Sequence, residues 1–325
     1  MKTRILREDV PAVSKIIGTI DEATDEIQFK EAMLTVVIPA YNEARMIADV
    51  VSGSLKYADE VIVVDDGSRD NTSFVARAAG ARVIRLPKNN GKGVALTLGL
   101  KTAAINGADV IVCLDGDGQH DPEEIPRVAL PVIRGEADVV VGSRFLDTVG
   151  SKEIPGYRQV GQTILTKATN IGSGKGVRIT DSQSGFRSLS RNAVLKMELT
   201  EEGMGIESEI LIDASKLGLR IKEVPITCKY DGLDTSKMAP GKHGVSVLSS
   251  ILRNVRDEHP MLYFGVGGMI LALIGVSAGL YSLYQFTLMK SLPFLPSLVA
   301  VLFFFLGAIS VFSGILLNSL ASKRF

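Results

Sequence analysis

Two aspartates, Asp115 and Asp117, stand two positions apart in the run Leu114-Asp115-Gly116-Asp117-Gly118-Gln119. On an extended strand end, residues so spaced point to the same side. Two carboxylates brought together repel unless a cation lies between them. Carboxylate oxygens suit Mg²⁺ or Mn²⁺, which in turn hold phosphate oxygens, and Gln119 adds a neutral oxygen to the set. Upstream, Asn90-Gly91-Lys92-Gly93 combines a point charge with two glycines that let backbone amides approach a phosphate. An Asp-x-Asp alone is a weak signal; its place in the fold decides its weight.

The elements around these residues alternate. Short apolar runs at Leu34–Ile38, Val61–Asp65, Arg82–Leu86, Val110–Leu114 and Asp138–Gly142 are separated by helical patterns near Glu43–Lys56, Thr72–Ala79, Lys92–Asn106 and Pro122–Arg134. Near-continuous apolar strands between helices predict a parallel α/β sheet buried on both faces. In such sheets ligands bind beyond the C-terminal strand ends. Each run is followed by polar residues: Pro39-Ala40-Tyr41-Asn42-Glu43, Asp65 to Asp70, Lys88 to Gly93, Asp115 to Asp121, and Gly142-Ser143-Arg144. Any one of these could be an ordinary turn; five at one end of one sheet predict a metal–diphosphate site. The dinucleotide Gly-x-Gly-x-x-Gly is missing after the first strand. Gly172-Ser173-Gly174-Lys175-Gly176 lacks the rest of a Walker loop and reads as a plain loop.

Lys plus Arg and Asp plus Glu both number 36, which excludes a chain-wide basic field and predicts no nucleic-acid partner. Two distant cysteines, Cys113 and Cys228, make neither a disulfide framework nor a cysteine zinc site. The mean hydropathy of +0.23 is high for a chain with 22% charged residues, because the apolar residues gather at the C-terminus. No charge occurs from Met261 to Met289, nor between Lys290 and Lys323. Two membrane spans are predicted, about 262–284 and 296–318, with Pro293 and Pro296 in the turn of the hairpin. Arg253 and Arg256 precede the first span, and Lys323 and Arg324 follow the second. The flanks, and the long N-terminal part with them, are therefore expected on the cytoplasmic side. Residues 1–32 are charged and lack the apolar core of a signal peptide. Residues 241–260 carry an apolar stripe of Leu248, Ile251, Leu252 and Val255, which predicts a juxtamembrane amphipathic helix.

Six strings in order carry a resemblance: Val36 to Glu43, Val63 to Ser68, Asn90 to Gly93, Leu114 to Gln119, Gly142 to Arg144, and Gln183-Ser184-Gly185-Phe186-Arg187. The chain resembles family 2 glycosyltransferases of the GT-A fold, and within them the polyprenyl-phosphate (dolichyl-phosphate) hexosyltransferases. The resemblance implies a Rossmann-like, mostly parallel sheet over residues 33–240, followed by the membrane hairpin in 261–325, with residues 1–32 as an extension. It implies that Pro39, Tyr41, Glu43 and Asp66 hold the nucleoside and that Lys92 lies near the nucleotide. Asp115, Asp117 and Gln119 would carry Mg²⁺ or Mn²⁺ and the diphosphate. Arg144 and Arg158 would meet the acceptor phosphate, Ser184 and Arg187 would lie near the transferring sugar or acceptor, and Glu207 and Glu209 would touch sugar hydroxyls.

The implied reaction moves a hexose from a nucleoside-diphosphate sugar to polyprenyl phosphate in the bilayer, with inversion. A UDP-glucose-type donor is slightly preferred to GDP-mannose. A phosphate nucleophile is largely ionised at neutral pH, since its second pKa is about 6, so no protein base is required. The processive polysaccharide synthases of this fold use an acceptor motif ending in Trp, and this chain has no Trp. Transfer to a hydroxyl would need a base, for which Asp181 is the residue to check. A non-catalytic, membrane-anchored nucleotide-binding protein and a homo-oligomer both stay open.

Overall fold

A computed structural model describes residue 29 and residues 31–146, 162–163, 165–167, 169–170, 173, 178–228, 264–291 and 293–321. Arg158, the stretch 241–260 and most of residues 1–32 lie outside the described residues. The chain divides into two units, residues 1–248 and 249–325.

The first unit is built on one seven-stranded sheet. In chain order the strands are β1 (Leu34–Ala40), β2 (Glu60–Asp65), β3 (Arg82–Arg85), β4 (Val110–Cys113), β5 (Val139–Ser143), β6 (Arg187–Ser190) and β7 (Ile221–Pro225). Their spatial order is β3-β2-β1-β4-β6-β5-β7. The helices are α1 (Ile47–Leu55), α2 (Thr72–Ala78), α3 (Lys92–Ile105), α4 (Ile125–Ile133), α5 (Arg191–Lys196) and α6 (Ile206–Lys216). The central strands carry apolar runs, Val36–Ile38, Val61–Val64 and Val110–Cys113, because each feeds two cores. Val36, Ile38, Val61, Val63, Val110 and Val112 pack on one face with α1, α2 and α4. Val37, Ile62, Val64, Ile111 and Cys113 pack on the other with α3, α5 and α6. Alternate residues of a strand point to opposite faces, so burial on both sides removes the polar half of the pattern.

Two strands depart from the sequence reading. β6 runs antiparallel between β4 and β5, pairing Ile111 and Val139 with Leu189. Its sequence, Arg-Ser-Leu-Ser, has no apolar run, yet it is buried because its polar groups are satisfied inside; Ser188 Oγ donates to the Val128 carbonyl at 2.6 Å. β7 closes the edge in parallel with β5. The first helix also starts later than Glu43. Asn42 adopts φ 55°, and the Glu43 and Ala44 amides are taken by Thr72 Oγ1 and Asp70 Oδ2.

The second unit is a hairpin of α7 (Val266–Met289) and α8 (Phe294–Ala321), both long and apolar enough to cross a membrane. Its helices begin and end a few residues from the predicted spans, α7 being closed by Lys290 in the left-handed conformation. Small residues let the backbones meet: a Cβ on Gly275 would lie 2.5 Å from Phe304 N, and one on Gly307 2.5 Å from Ala272 N. Leu273, Leu280, Phe305, Ile309 and Phe312 are exposed on the outside of the pair.

Candidate active site

The strand ends assemble the polar residues as the α/β reading requires. Asp115 lies two residues beyond β4, and Lys92 opens α3. Lys92 Nζ lies 2.7 Å from Asp115 Oδ1 and 2.6 Å from Glu207 Oε1, at the first turn of α6. Burial opposes charge on Lys92 and on Asp115. The ammonium nevertheless holds the Asp115 carboxyl below the usual carboxylate range, and the two carboxylates hold Lys92 above its ordinary value. The other oxygen of Asp115 faces Gly185, where a Cβ would stand 2.4 Å from Oδ2. The second oxygen of Glu207 is buried without a partner.

Asp117 is the strained member of the pair. Burial and the charge of Asp115 push its carboxyl up to about 6, while the Gln119 amide, donating to Oδ1 at 3.0 Å, works the other way. Crowded, partly desolvated carboxylates with hard oxygen donors fit a divalent cation, whose charge would relieve that repulsion. Among the described residues no cluster of three His, Cys, Asp or Glu is preassembled for a metal. The fit is therefore to an ion that takes its remaining ligands from substrate phosphate and water. Gln119 Oε1 faces the Cys228 thiol at 3.9 Å.

Several predicted ligands also hold loops. Asp66 accepts from the amides of Asn90 and Gly91 at 2.7 and 2.9 Å, and so fixes the loop before α3. The reading of Gly91 and Gly93 as amides open to phosphate is corrected in the same way. Gly91 donates to Asp66, and Gly93 donates to the Glu202 carbonyl at 2.9 Å. These glycines serve close packing: a Cβ would stand 2.2 Å from Glu202 O at Gly91, where φ is +101°, and 1.9 Å from Glu201 O at Gly93. Glu209 accepts from the amides of Thr200 and Glu201 and from the Thr200 hydroxyl, and so anchors that same segment. Pro39 and Tyr41 are half-buried at the end of β1, and Glu43 follows them, its charge reaching Asp117.

On the acceptor side, Arg144 follows β5. Its Nε and Nη2 donate to the two oxygens of Asp181 at 2.7 and 2.8 Å. Burial opposes the Asp181 charge, but Arg144 holds its carboxyl below the usual range. A carboxylate so engaged is a poor base, which removes the residue that transfer to a hydroxyl would require. Arg187 is buried in β6 and donates to the carbonyls of Ser182, Ser184 and Glu207. It ties the Gln183–Arg187 string to α6. Ser184 is buried, its Oγ accepting from the Phe186 amide at 3.3 Å.

Three residues received no role from the sequence reading. His120 is buried against Phe186 at 5.4 Å between ring centroids, its Nδ1 without a partner, and burial lowers its pKa to about 4. Gly185 walls the Asp115 carboxylate. Glu223 accepts from the Thr180 and Asp181 amides. None has a local signature, because each matters through a partner far away in the chain.

The family model for glycosyl transferase family 2 matches residues 35–197. The chain is 36% identical over 220 residues to the UDP-N-acetylglucosamine–dolichyl-phosphate N-acetylglucosaminyltransferase of Methanococcus voltae, covering 62% of this chain and 87% of that one. It is 32% identical over 230 residues to the undecaprenyl-phosphate mannosyltransferase of Micrococcus luteus, covering 66% and 90%. Among solved structures, glucosyl-3-phosphoglycerate synthase from Mycobacterium tuberculosis in complex with Mn²⁺ and UDP-glucose superposes with a TM-score of 0.57 at 25% identity. That match covers 71% of this chain and 81% of that one. The sheet order, the loaded strand ends and these matches agree on the GT-A-like fold, and the chain belongs to glycosyl transferase family 2.

Proposed function

We propose that the protein transfers a hexose from a nucleoside-diphosphate sugar to the phosphate of a membrane polyprenol, with inversion at the anomeric carbon. It is a polyprenyl-phosphate sugar transferase associated with the membrane, as the names of its relatives and its two apolar helices support. The observation that carries the reading is the convergence of Asp115, Asp117 and Lys92 with Arg144, whose charge reaches Asp115. One end of the sheet thus offers carboxylates for a cation-bound diphosphate and a guanidinium for a second phosphate.

The donor we favour is a UDP-hexose. The M. voltae relative is named for a UDP-sugar and the M. tuberculosis neighbour is bound to one, while GDP-mannose stays second. Asp115, Asp117 and Gln119 would hold Mg²⁺ or Mn²⁺. Such an ion offsets charge on a leaving diphosphate. Pro39, Tyr41 and Glu43 would line the nucleoside, and Asp66 would shape its pocket by holding the loop before α3. The Glu207 oxygen that lacks a partner would accept a hydroxyl of the hexose. Arg144, with Arg158, would orient the acceptor phosphate for in-line attack; forked guanidinium contacts suit that task. The nucleophile is already anionic, so positioning and charge stabilisation carry the catalysis. The positive flanks of the hairpin support a cytoplasmic side for the catalytic unit.

The test incubates full-length protein with polyprenyl phosphate, Mn²⁺ or Mg²⁺ and separate UDP- and GDP-sugars, and looks for polyprenyl-phosphate hexose by mass spectrometry. Metal-dependent product from one donor, lost in Asp117→Ala, is expected. Binding of nucleotide with no product from any donor would overturn the reading.

A further inference from the structure

Arg144 owes its position to a turn that a different strand holds. The Thr180–Asp181 turn presents the Asp181 carboxylate to the Arg144 side chain at 2.7 and 2.8 Å and to the Arg144 amide at 3.2 Å. The backbone of this turn is gripped from β7. Glu223 Oε1 accepts from the Thr180 amide at 2.9 Å, the Thr180 hydroxyl at 2.9 Å and the Asp181 amide at 3.0 Å. Its Oε2 accepts a second time from the Thr180 amide at 2.9 Å. The Thr180 hydroxyl also lies 2.7 Å from Ser143 Oγ, next to Arg144 in the chain. In the parallel register Glu223 stands opposite Val141, and Pro225 opposite Ser143. One carboxylate on β7 therefore locks the turn whose other carboxylate aims the guanidinium at the end of β5.

We propose that Glu223 is a positioning residue for capture of the acceptor phosphate, acting on Arg144 through the Thr180–Asp181 turn. This rests on the reading of Arg144 as a ligand of that phosphate. Glu223 itself touches no reacting atom. Its effect is on angle and reach: a guanidinium displaced by about 1 Å loses a large part of its orienting power. The donor half of the site is held by other contacts, Asp66 on the Asn90–Gly91 loop and Lys92 between Asp115 and Glu207. Loss of Glu223 is therefore felt mainly on the acceptor side.

The experiment is a double-mutant cycle on the full chain in detergent, with a short-chain polyprenyl phosphate and the sugar nucleotide that gives product. Glu223→Ala is expected to raise the acceptor KM about tenfold, leaving the donor KM within about twofold. Glu223→Gln, which keeps an acceptor oxygen for the two amides, is expected to restore most of the loss. In an Arg144→Ala background, Glu223→Ala is expected to add less than about twofold, because residues acting as one unit are not additive. If Glu223→Ala gives no cooperative melt, Thr180→Ala takes its place, since it removes the hydroxyl shared with Ser143 and Glu223. Full additivity with Arg144→Ala, or a parallel rise in the donor KM, would overturn the proposal while leaving the function intact. An Arg144→Ala protein with an unchanged acceptor KM would overturn the acceptor-phosphate reading itself, and this proposal with it.

Discussion

Lys92 and Glu207, 115 positions apart in sequence, meet at 2.6 Å, and the same ammonium reaches Asp115 at 2.7 Å. One cation thus balances two carboxylates from different elements, α6 and the end of β4. It holds the floor of the site together before any substrate arrives. Removing one partner of such a buried group leaves uncompensated charge, which costs about 3–5 kcal/mol. Lys92→Met is expected to lower stability by about that amount, read as a shift in the urea midpoint of full-length protein in detergent. The double variant Lys92→Met/Glu207→Gln should recover part of the loss; equal midpoints for wild type and Lys92→Met would show that the triad contributes nothing to stability.

Asp117 predicts a pH dependence for cation binding. Its carboxyl titrates at about 6, raised by burial and by Asp115, and a cation must displace its proton below that value. Apparent Mn²⁺ affinity in the presence of nucleotide should fall by up to about tenfold per pH unit as pH drops below 6. Above 7 it should be flat. In Asp117→Asn the affinity should be low throughout and the slope lost. Paramagnetic resonance of free Mn²⁺ reads this without reference to turnover, and an unchanged slope in the variant would place the proton elsewhere.

His120 predicts a second pH effect, on the fold. Burial lowers its pKa from 6.5 to about 4 in the folded protein. Between these values the unfolded chain binds the extra proton and the folded one does not, so stability rises with pH across that window and is lost as pH falls from about 6.5 to 4. The whole contribution is about 3 kcal/mol. His120→Gln should show a shallower fall in urea midpoint over this range. A variant as acid-sensitive as wild type would assign the loss to other groups.

Gly185 is expected to tolerate no side chain. A methyl group there would stand 2.4 Å from Asp115 Oδ2, so the carboxylate must turn away from its position beside Lys92. Gly185→Ala should cost about 1–3 kcal/mol through overpacking and cut kcat/KM at least about tenfold through misplacement of Asp115. Gly218→Ala is the control, since nothing lies within 4 Å of its Cβ and its φ is +65°; it should lose some stability and keep its rate. Similar kinetic losses in both would point to a general effect of glycine replacement.

Much of the architecture was legible in the sequence because it rests on local pattern. Strands buried on both faces carry near-continuous apolar runs, so Leu34–Ala40, Glu60–Asp65 and Val110–Cys113 announce themselves. The apolar helical hairpin does so by the absence of charge over two long stretches. The pairing of Asp115 with Asp117 was legible in their spacing after β4, and the charge of Asp115 does act on Asp117, although a turn rather than an extended strand end carries the second residue. What only the tertiary structure decided is which polar residues face the opening and which hold the walls. Asp66, Glu209 and Arg187 have the residue types of ligands, yet each is committed to backbone groups 24, 8 or 20 positions away. β6 was invisible because its stability comes from burying satisfied polar groups between two strands, which leaves no apolar period. Composition and spacing determine what a side chain is able to do. Its partners are set by long-range packing, and those partners decide what it does.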